Sequence, residues 1–387
     1  MTKRPAGPGP STLAVHAGEG TDVRSGAVNV PIQQSTTFRY PEMEDGSKAP
    51  YIYSRYENPS LESVEGKIAA LEGGGATQSL LFASGMGAIQ AACTAFTKAG
   101  DVLAVQRGVY GGTTSYLNVE LARFGVKVVE VDAHGPARLP KGTTLVWMES
   151  ITNPLLRVAD PRPWAKAAHE AGAKLVVDAT FASPLLQQPL TLGADAVMHS
   201  ATKYLNGHAD VTAGVLSCND KTVRESLWTR RRNLGAILDP HAAYLVGRGM
   251  KTLALRMERH CTNALALAQE CEGLAGVKAA HYPGLPSHPD HATARKVLSG
   301  GFGGMLTLDL GSKARAQAFR RKAKLILPAA SLGGVESLVS LPLETSHAYA
   351  SAAKRRADGI TDGLVRISVG IEDAADLAAD LRQAIRP

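Results

Sequence analysis

At 387 residues, 44% hydrophobic and 20% charged, the chain has the composition of a folded globular protein, and its length suits two domains because single cores rarely grow past about 250–300 residues. No apolar run reaches the roughly 18–20 residues that span a bilayer, and the opening MTKRPAGPGPS lacks the apolar centre of a signal peptide, so no membrane is expected and the cytoplasm is the expected compartment. The net charge of +7 would steer anions, but the basic clusters at 230–232 and 320–324 read as solvated helix faces with no nucleic-acid-binding motif beside them, so no nucleic-acid partner is expected.

Residues 1–60 carry Pro and Gly punctuation and weak periodicity, which predicts an arm with little core of its own. From Ser60 to about 240, short apolar runs predict strands at SLLFAS (79–84), DVLAVQ (101–106), KVVEVD (127–132), TTLVWME (143–149), KLVVDA (174–179), DAVMHS (195–200) and AGVLSC (213–218). Helical patterns at 60–72, 86–98, 112–124 and 161–171 lie between them, an alternation that builds βαβ units around a mostly parallel sheet buried on both faces. After 240, AYLVGRGMKTLALRMERHCTNALALAQECEGL reads as one long helix leading into a second domain, with the boundary near 245. GMLTLDL (304–310), SLVSLP (337–342) and LVRISVG (364–370) read as further strands, and a closing helix ends near Ile385. Cys93, Cys218, Cys261 and Cys271 form no CxxC pair, so reduced thiols are expected rather than disulfides or a zinc site.

Open α/β sheets bind ligands at the carboxyl ends of their strands. There LVVDATF places Asp178, and DAVMHSATK, one αβ unit later, places His199, Ser200, Thr202 and Lys203. Asp178 and Lys203 could be a plain salt bridge. Pyridoxal phosphate chemistry is the other reading, because it needs a lysine amine for the Schiff base, a carboxylate that keeps the pyridine nitrogen protonated, and an anion cradle. ASGMGAI (83–89) opens a helix with small residues that let backbone N–H groups approach a phosphate, although an ordinary strand-to-helix turn would look the same. Ser200 and Thr202 either complete a phosphate shell or cap a helix. Tyr110 in GVYGGTT either stacks on a flat ring and moves a proton, or packs a loop. Asn153 in ESITNP either bonds a ring oxygen or starts an Asn-Pro turn.

With Asp178, HSATK, SGMGA, VYGG and ESITNP in place, and with YSRYENPS (53–60), SLGGVESL (331–338) and LVRISVGIED (364–373), the sequence resembles the Cys/Met-metabolism family of pyridoxal-phosphate enzymes from about residue 12 onward. The resemblance implies an α/β fold of the aspartate-aminotransferase type (fold type I): a mostly parallel central sheet and a smaller α+β C-terminal domain. It implies an arm (1–60) reaching a neighbouring subunit, a cofactor-binding domain (61–245) and a C-terminal domain (246–387), assembled as a homotetramer of catalytic dimers around pyridoxal 5'-phosphate. By matching position it makes Lys203 the Schiff-base lysine, Asp178 the pyridinium partner and Tyr110 the stacking, proton-moving tyrosine. It puts Gly85, Met86, Ser200 and Thr202 on the phosphate, reached also by Tyr53 and Arg55 of a neighbouring subunit, and Asn153 on the cofactor and substrate. It gives Arg366 the substrate carboxylate, with Ser331 beside it; by strand pattern alone Arg366 reads as a surface residue.

Within the family, the stretches 235–264 and 281–289 are most similar to methionine γ-lyases. Cystathionine-specific members carry charged residues where this chain has Ile52, Ser115 and Ala330, while Gly112 stands where methionine γ-lyases have cysteine. The implied activity is α,γ-elimination of L-methionine to methanethiol, 2-oxobutanoate and ammonia, with Lys203 as base and Tyr110 as acid. Cystathionine γ-lyase, cystathionine γ-synthase or O-acylhomoserine sulfhydrylase is the alternative, and a catalytically silent pyridoxal-phosphate-binding protein is the non-enzyme one. An NAD-dependent enzyme is disfavoured because the glycine fingerprint fails at Gln90.

Overall fold

The computed structural model describes residues 7–386 apart from 21, 23–24, 40–50, 346–347 and 349–350, so part of the expected arm lies outside the described residues. The larger sheet contains β1 (Gln78–Phe82), β2 (Val102–Gln106), β3 (Lys127–Val131), β4 (Thr143–Glu149), β5 (Lys174–Asp178), β6 (Ala196–His199) and β7 (Gly214–Cys218). Their order across the sheet is β1-β7-β6-β5-β4-β2-β3. All neighbouring pairs from β3 to β6 are parallel, whereas β7 runs antiparallel to both β6 and β1. The seven strands read from the sequence are therefore all present, and the sheet is mostly parallel. Leu145, Val146 and Trp147 of β4 and Leu175 and Val176 of β5 are fully enclosed, because helices cover both faces. Only β3, at the edge, keeps Lys127 and Glu130 exposed.

The helices begin where short polar side chains can accept first-turn amides. Asn58 accepts from Ser60 N–H ahead of Pro59–Leu71, Ser84 from Gly87 ahead of Gly85–Phe96, Asp160 from Arg162 ahead of Pro161–Glu170, and Asp220 from Thr222 and Val223 ahead of Lys221–Leu234. The helix expected over 112–124 is α-helical only at Gly111–Ser115 and widens into a π-helix at Tyr116–Leu121.

Two expectations need correction. The long helix after 240 is two helices, Pro240–Met250 and Leu253–Cys271, which an uninterrupted apolar periodicity concealed. Lys251 and Thr252 bond back only three residues, to Arg248 and Gly249, and Thr252 leaves the helical region at φ −106° and ψ 6°. The cluster 230–232 is not a uniformly solvated face, since Arg231 is buried and donates to Glu65 Oε1 at 2.5 Å and to the carbonyls of Leu81 and Tyr56.

A smaller sheet holds β8 (Ala279–His281), β9 (Met305–Asp309), β10 (Leu327–Pro328), β11 (Leu338–Ser340) and β12 (Leu364–Ser368), in the order β10-β11-β12-β9-β8. The expected strands are β9, β11 and β12; β8 and β10 have three and two residues, too few to carry an alternating pattern. The closing helix, Ala374–Ile385, ends as read. Among the described residues no helix is long and apolar enough to cross a membrane, and the four cysteines are free and buried.

Gly249 lies where the helix Pro240–Met250 meets the loop after β6, and a Cβ there would fall 2.1 Å from the Asn206 carbonyl oxygen. Helix propensity favours alanine over glycine by up to about 1 kcal/mol, but forcing atoms into filled backbone space costs about 1–3 kcal/mol or more. Gly249→Ala is therefore expected to lower stability in urea unfolding by about 2 kcal/mol, the steric cost exceeding the propensity gain.

Candidate active site

The carboxyl ends of β2, β4, β5 and β6 meet the loop between β10 and β11 and the strand β12. Asp178 is the last residue of β5, and all its hydrogen bonds fall on one oxygen: Thr180 N–H donates to Oδ1 at 2.9 Å and Thr180 Oγ1–H at 2.5 Å. Oδ2 accepts none among the described residues. The same Thr180 hydroxyl accepts from Ser200 N–H at 2.8 Å, so it ties the end of β5 to the loop that carries the lysine. Burial pushes the Asp178 carboxyl up, against the Thr180 bonds and the nearby His199. His199 itself bonds Glu72 in the interior.

Lys203 lies in the loop joining β6 to β7. Its Nζ donates to Ser331 Oγ at 2.7 Å, and burial, aided by the Arg366 charge, brings the ammonium down from 10.5 to about 8. No carboxylate pairs with Lys203 among the described residues, so the plain salt bridge with Asp178 is not formed. The loop is held from beneath by Arg256, which donates to the carbonyls of Tyr204 at 2.7 Å, Leu205 at 3.3 Å and Gly249 at 2.8 Å. Gly207, at φ +77°, passes directly over that guanidinium; a Cβ would sit 2.1 Å from Arg256 Nη1. This close approach accounts for the Asn206-Gly207 pair after the lysine.

Arg366, read as a surface residue from its strand pattern, is buried. Nη1 donates to Asn153 Oδ1 and Nη2 to the Ser331 carbonyl, both at 3.1 Å, while Nε has no partner. No carboxylate pairs with it among the described residues, and burial lowers it to about 10. Ser331 thus contacts both cations, its hydroxyl on Lys203 and its carbonyl on Arg366, and holds a left-handed backbone at φ 89° that a side chain rarely adopts.

Tyr110 follows β2 with its ring largely open to solvent, and its N–H donates to Glu149 Oε1 at 2.6 Å. Glu149 closes β4 in register with Asp178 and is driven well above the usual carboxylate range by burial and by that neighbour. Neither Thr180 nor Glu149 was singled out from the sequence. The signals were present, a hydroxyl two residues after a strand-end aspartate and a lone glutamate closing an apolar strand.

Gly85 and Met86 are the first two residues of the helix Gly85–Phe96, and their N–H groups have no acceptor within it. A Cβ on Gly85 would lie 3.0 Å from Ser200 Oγ, so the glycine keeps a small space open against that hydroxyl, which bonds nothing among the described residues. Thr202 is engaged elsewhere: its hydroxyl donates to Ala213 O at 3.2 Å and accepts from Ala213 N–H at 2.9 Å, closing the neck of the loop. Among the described residues, no hydrogen bond joins Tyr53 or Arg55 to these residues. Arg55 stacks on Tyr53 and Tyr56 and donates to the Arg232 carbonyl at 3.2 Å. Ser115 and Ala330 are exposed, and Ile52 is partly so.

The model of the Cys/Met metabolism PLP-dependent enzymes matches residues 11–386. The chain belongs to that family. It is 43% identical to cystathionine γ-lyase of Bacillus subtilis over 97% of this chain and 98% of that protein, and 41% identical to L-methionine γ-lyase of Pseudomonas putida over 98% of each. The solved cystathionine γ-synthase of Xanthomonas oryzae superposes with a TM-score of 0.91 at 38% identity, covering 98% of both chains. The fold is accordingly fold type I, and pyridoxal phosphate is the cofactor of this family member.

The residues present fit that group. Among the described residues, two first-turn amides and the Ser200 hydroxyl are free for a phosphate, the Asn153 side-chain NH2 is free for a ring oxygen, and Asp178 Oδ2 is free for a protonated ring nitrogen, whose charge would offset the burial that raises this carboxyl.

Because Lys203 releases its proton at about 8 when folded and near 10.5 when unfolded, the unfolded chain binds more protons between those values. The lysine therefore costs stability below about 8, and the cost fades as pH rises toward 10.5. In the cofactor-free protein Lys203→Met is expected to raise stability at pH 7 by about 2 kcal/mol, a gain that shrinks toward zero in denaturant titrations repeated above pH 10.

Proposed function

We infer that this chain cleaves the Cγ–S bond of L-methionine by α,γ-elimination, converting methionine and water to methanethiol, 2-oxobutanoate and ammonia. The observation that carries this reading is Arg366, a buried guanidinium without a carboxylate partner among the described residues, beside an amine lowered to about 8. That pairing suits an α-amino acid, whose carboxylate would answer the guanidinium.

In this reading Lys203 would carry pyridoxal phosphate as its Schiff base, and Gly85, Met86 and Ser200 would hold the phosphate, while Thr202, the fourth residue expected there, would close the neck of the loop through Ala213. Asp178 faces the ring nitrogen, Asn153 the ring oxygen and Tyr110 the ring face. Tyr53 and Arg55 serve the site of a neighbouring subunit in a homotetramer built from catalytic dimers. Residues 61–245 form the cofactor-binding domain and 246–387 the second domain. When bound, the cofactor supplies an electron sink that makes the substrate's Cα and Cβ hydrogens acidic.

The chain's own residues do the rest. Asn153 and Ser331 hold the Arg366 fork so that it binds the substrate carboxylate and fixes the Cα–H toward Lys203. Once the substrate amine has taken its place, Lys203 Nζ is a free amine that takes the Cα proton, and burial keeps a working fraction of it unprotonated near neutral pH. Tyr110 Oη gives a proton to the departing sulfur, so that a neutral thiol leaves. The uncharged Ile52, Ser115 and Ala330 offer nothing to a second amino-acid head group, which favours a methyl thioether.

One observation favours cystathionine instead. A Cβ on Gly112 would lie 2.4 Å from Tyr110 Cε1, so the tyrosine ring occupies the space that a cysteine at this position would need.

Products separate the two readings. Incubated with L-methionine, L-cystathionine and O-succinyl-L-homoserine in turn, the holoenzyme is expected to release methanethiol and 2-oxobutanoate in equal amounts from methionine, at the highest kcat/KM of the three. Absence of methanethiol retires the methionine reading in favour of cystathionine. Arg366→Lys keeps the charge and loses the fork, and is expected to raise KM for the amino acid about a hundredfold in steady-state kinetics, with a smaller change in kcat.

A further inference from the structure

Glu149 is the least explained group in the site. It is 5% exposed, closes β4, and stands in register with Asp178, so two carboxyl groups sit side by side where a strand buried on both faces would ordinarily end in an apolar residue. Burying a carboxyl is unfavourable unless donors converge on it. The donor to this one is the Tyr110 N–H, at 2.6 Å from Oε1. Glu149 is itself anchored, because its own N–H donates to the Gln106 side-chain oxygen at 2.8 Å, at the end of β2.

That donor belongs to the loop after β2. Tyr110 precedes the short helix Gly111–Ser115 with no side-chain cap of its own, and its ring lies against Gly112, which has no side chain to brace it from the other side.

We propose that Glu149 is a positioning residue whose carboxyl clamps the backbone of Tyr110, setting the place of the tyrosine hydroxyl in the substrate site. The proposal rests on Tyr110 as the proton donor and is independent of which sulfur amino acid is cleaved.

Glu149→Gln keeps one acceptor oxygen and adds an NH2 that cannot accept from the Tyr110 N–H. It is expected to lower kcat of the holoenzyme about tenfold with KM within about twofold, and Glu149→Ala about a hundredfold. In a Tyr110→Phe background the further loss from Glu149→Gln should shrink to less than about twofold, because no hydroxyl is left to position. Amide hydrogen exchange of the purified protein without substrate gives a second readout. Residues 109–113 should exchange at least about tenfold faster in Glu149→Ala, while 144–148 in β4 keep their protection. Should Glu149→Ala not fold, Glu149→Gln carries the exchange measurement, with acceleration in the same segment expected.

Wild-type kcat and unchanged exchange in Glu149→Gln overturn the proposal, as does a loss that multiplies in full with Tyr110→Phe. If Tyr110→Phe alone leaves turnover intact, the proton-donor reading fails, and exchange at 109–113 then decides the clamp by itself.

Discussion

A buried cation and a half-buried one meet at one serine, and no carboxylate among the described residues neutralises either. Lys203 donates to the Ser331 hydroxyl and Arg366 to its carbonyl. In a low-dielectric interior such neighbours repel strongly, and the lysine, whose proton can leave, yields. The rest of the site follows from that constraint. An amine that must work as a base near neutral pH is brought there by burial and by the residue that also suits a substrate carboxylate, with no dedicated base beside it.

The strand ends hold acids instead. Asp178 and Glu149 end adjacent strands, and the same desolvation that lowers the two cations raises the two acids. The field across the cleft is therefore set by the sheet, since strand register puts the acids together, while the cations come from the loop after β6 and from β12 of the smaller sheet. Thr180, Ser331 and Arg256 are the joints between these parts, each spanning elements distant in sequence.

Much of this was legible in the chain. Apolar runs bounded by Asp, Ser and Gly gave the strands, and polar caps gave the helix starts, because both signals are local. Asp178, Lys203 and Tyr110 stood out because each follows a buried strand within a few residues. Arg366 did not, since a strand pattern cannot say that the face it points to is covered by a loop from another sheet. Arg256 escaped for a different reason: its acceptors are main-chain carbonyls, which any residue supplies. Glu149 and Thr180 sat inside motifs that had drawn notice for other residues. The break at 251–252 was masked by a stripe of apolar residues that stays in phase across it.

The reversed direction of β7 has a mechanical consequence. Parallel strands need a crossover that carries the chain to the far rim of the sheet and back, but residues 200–213 leave β6 and enter β7 at the same rim. Thr202 and Ala213 draw the two stems together, so Lys203 begins a closed noose of main chain pegged at its knot. Whatever reach the amine needs when it exchanges one partner for another must come from its four methylenes, while the backbone beneath it stays still.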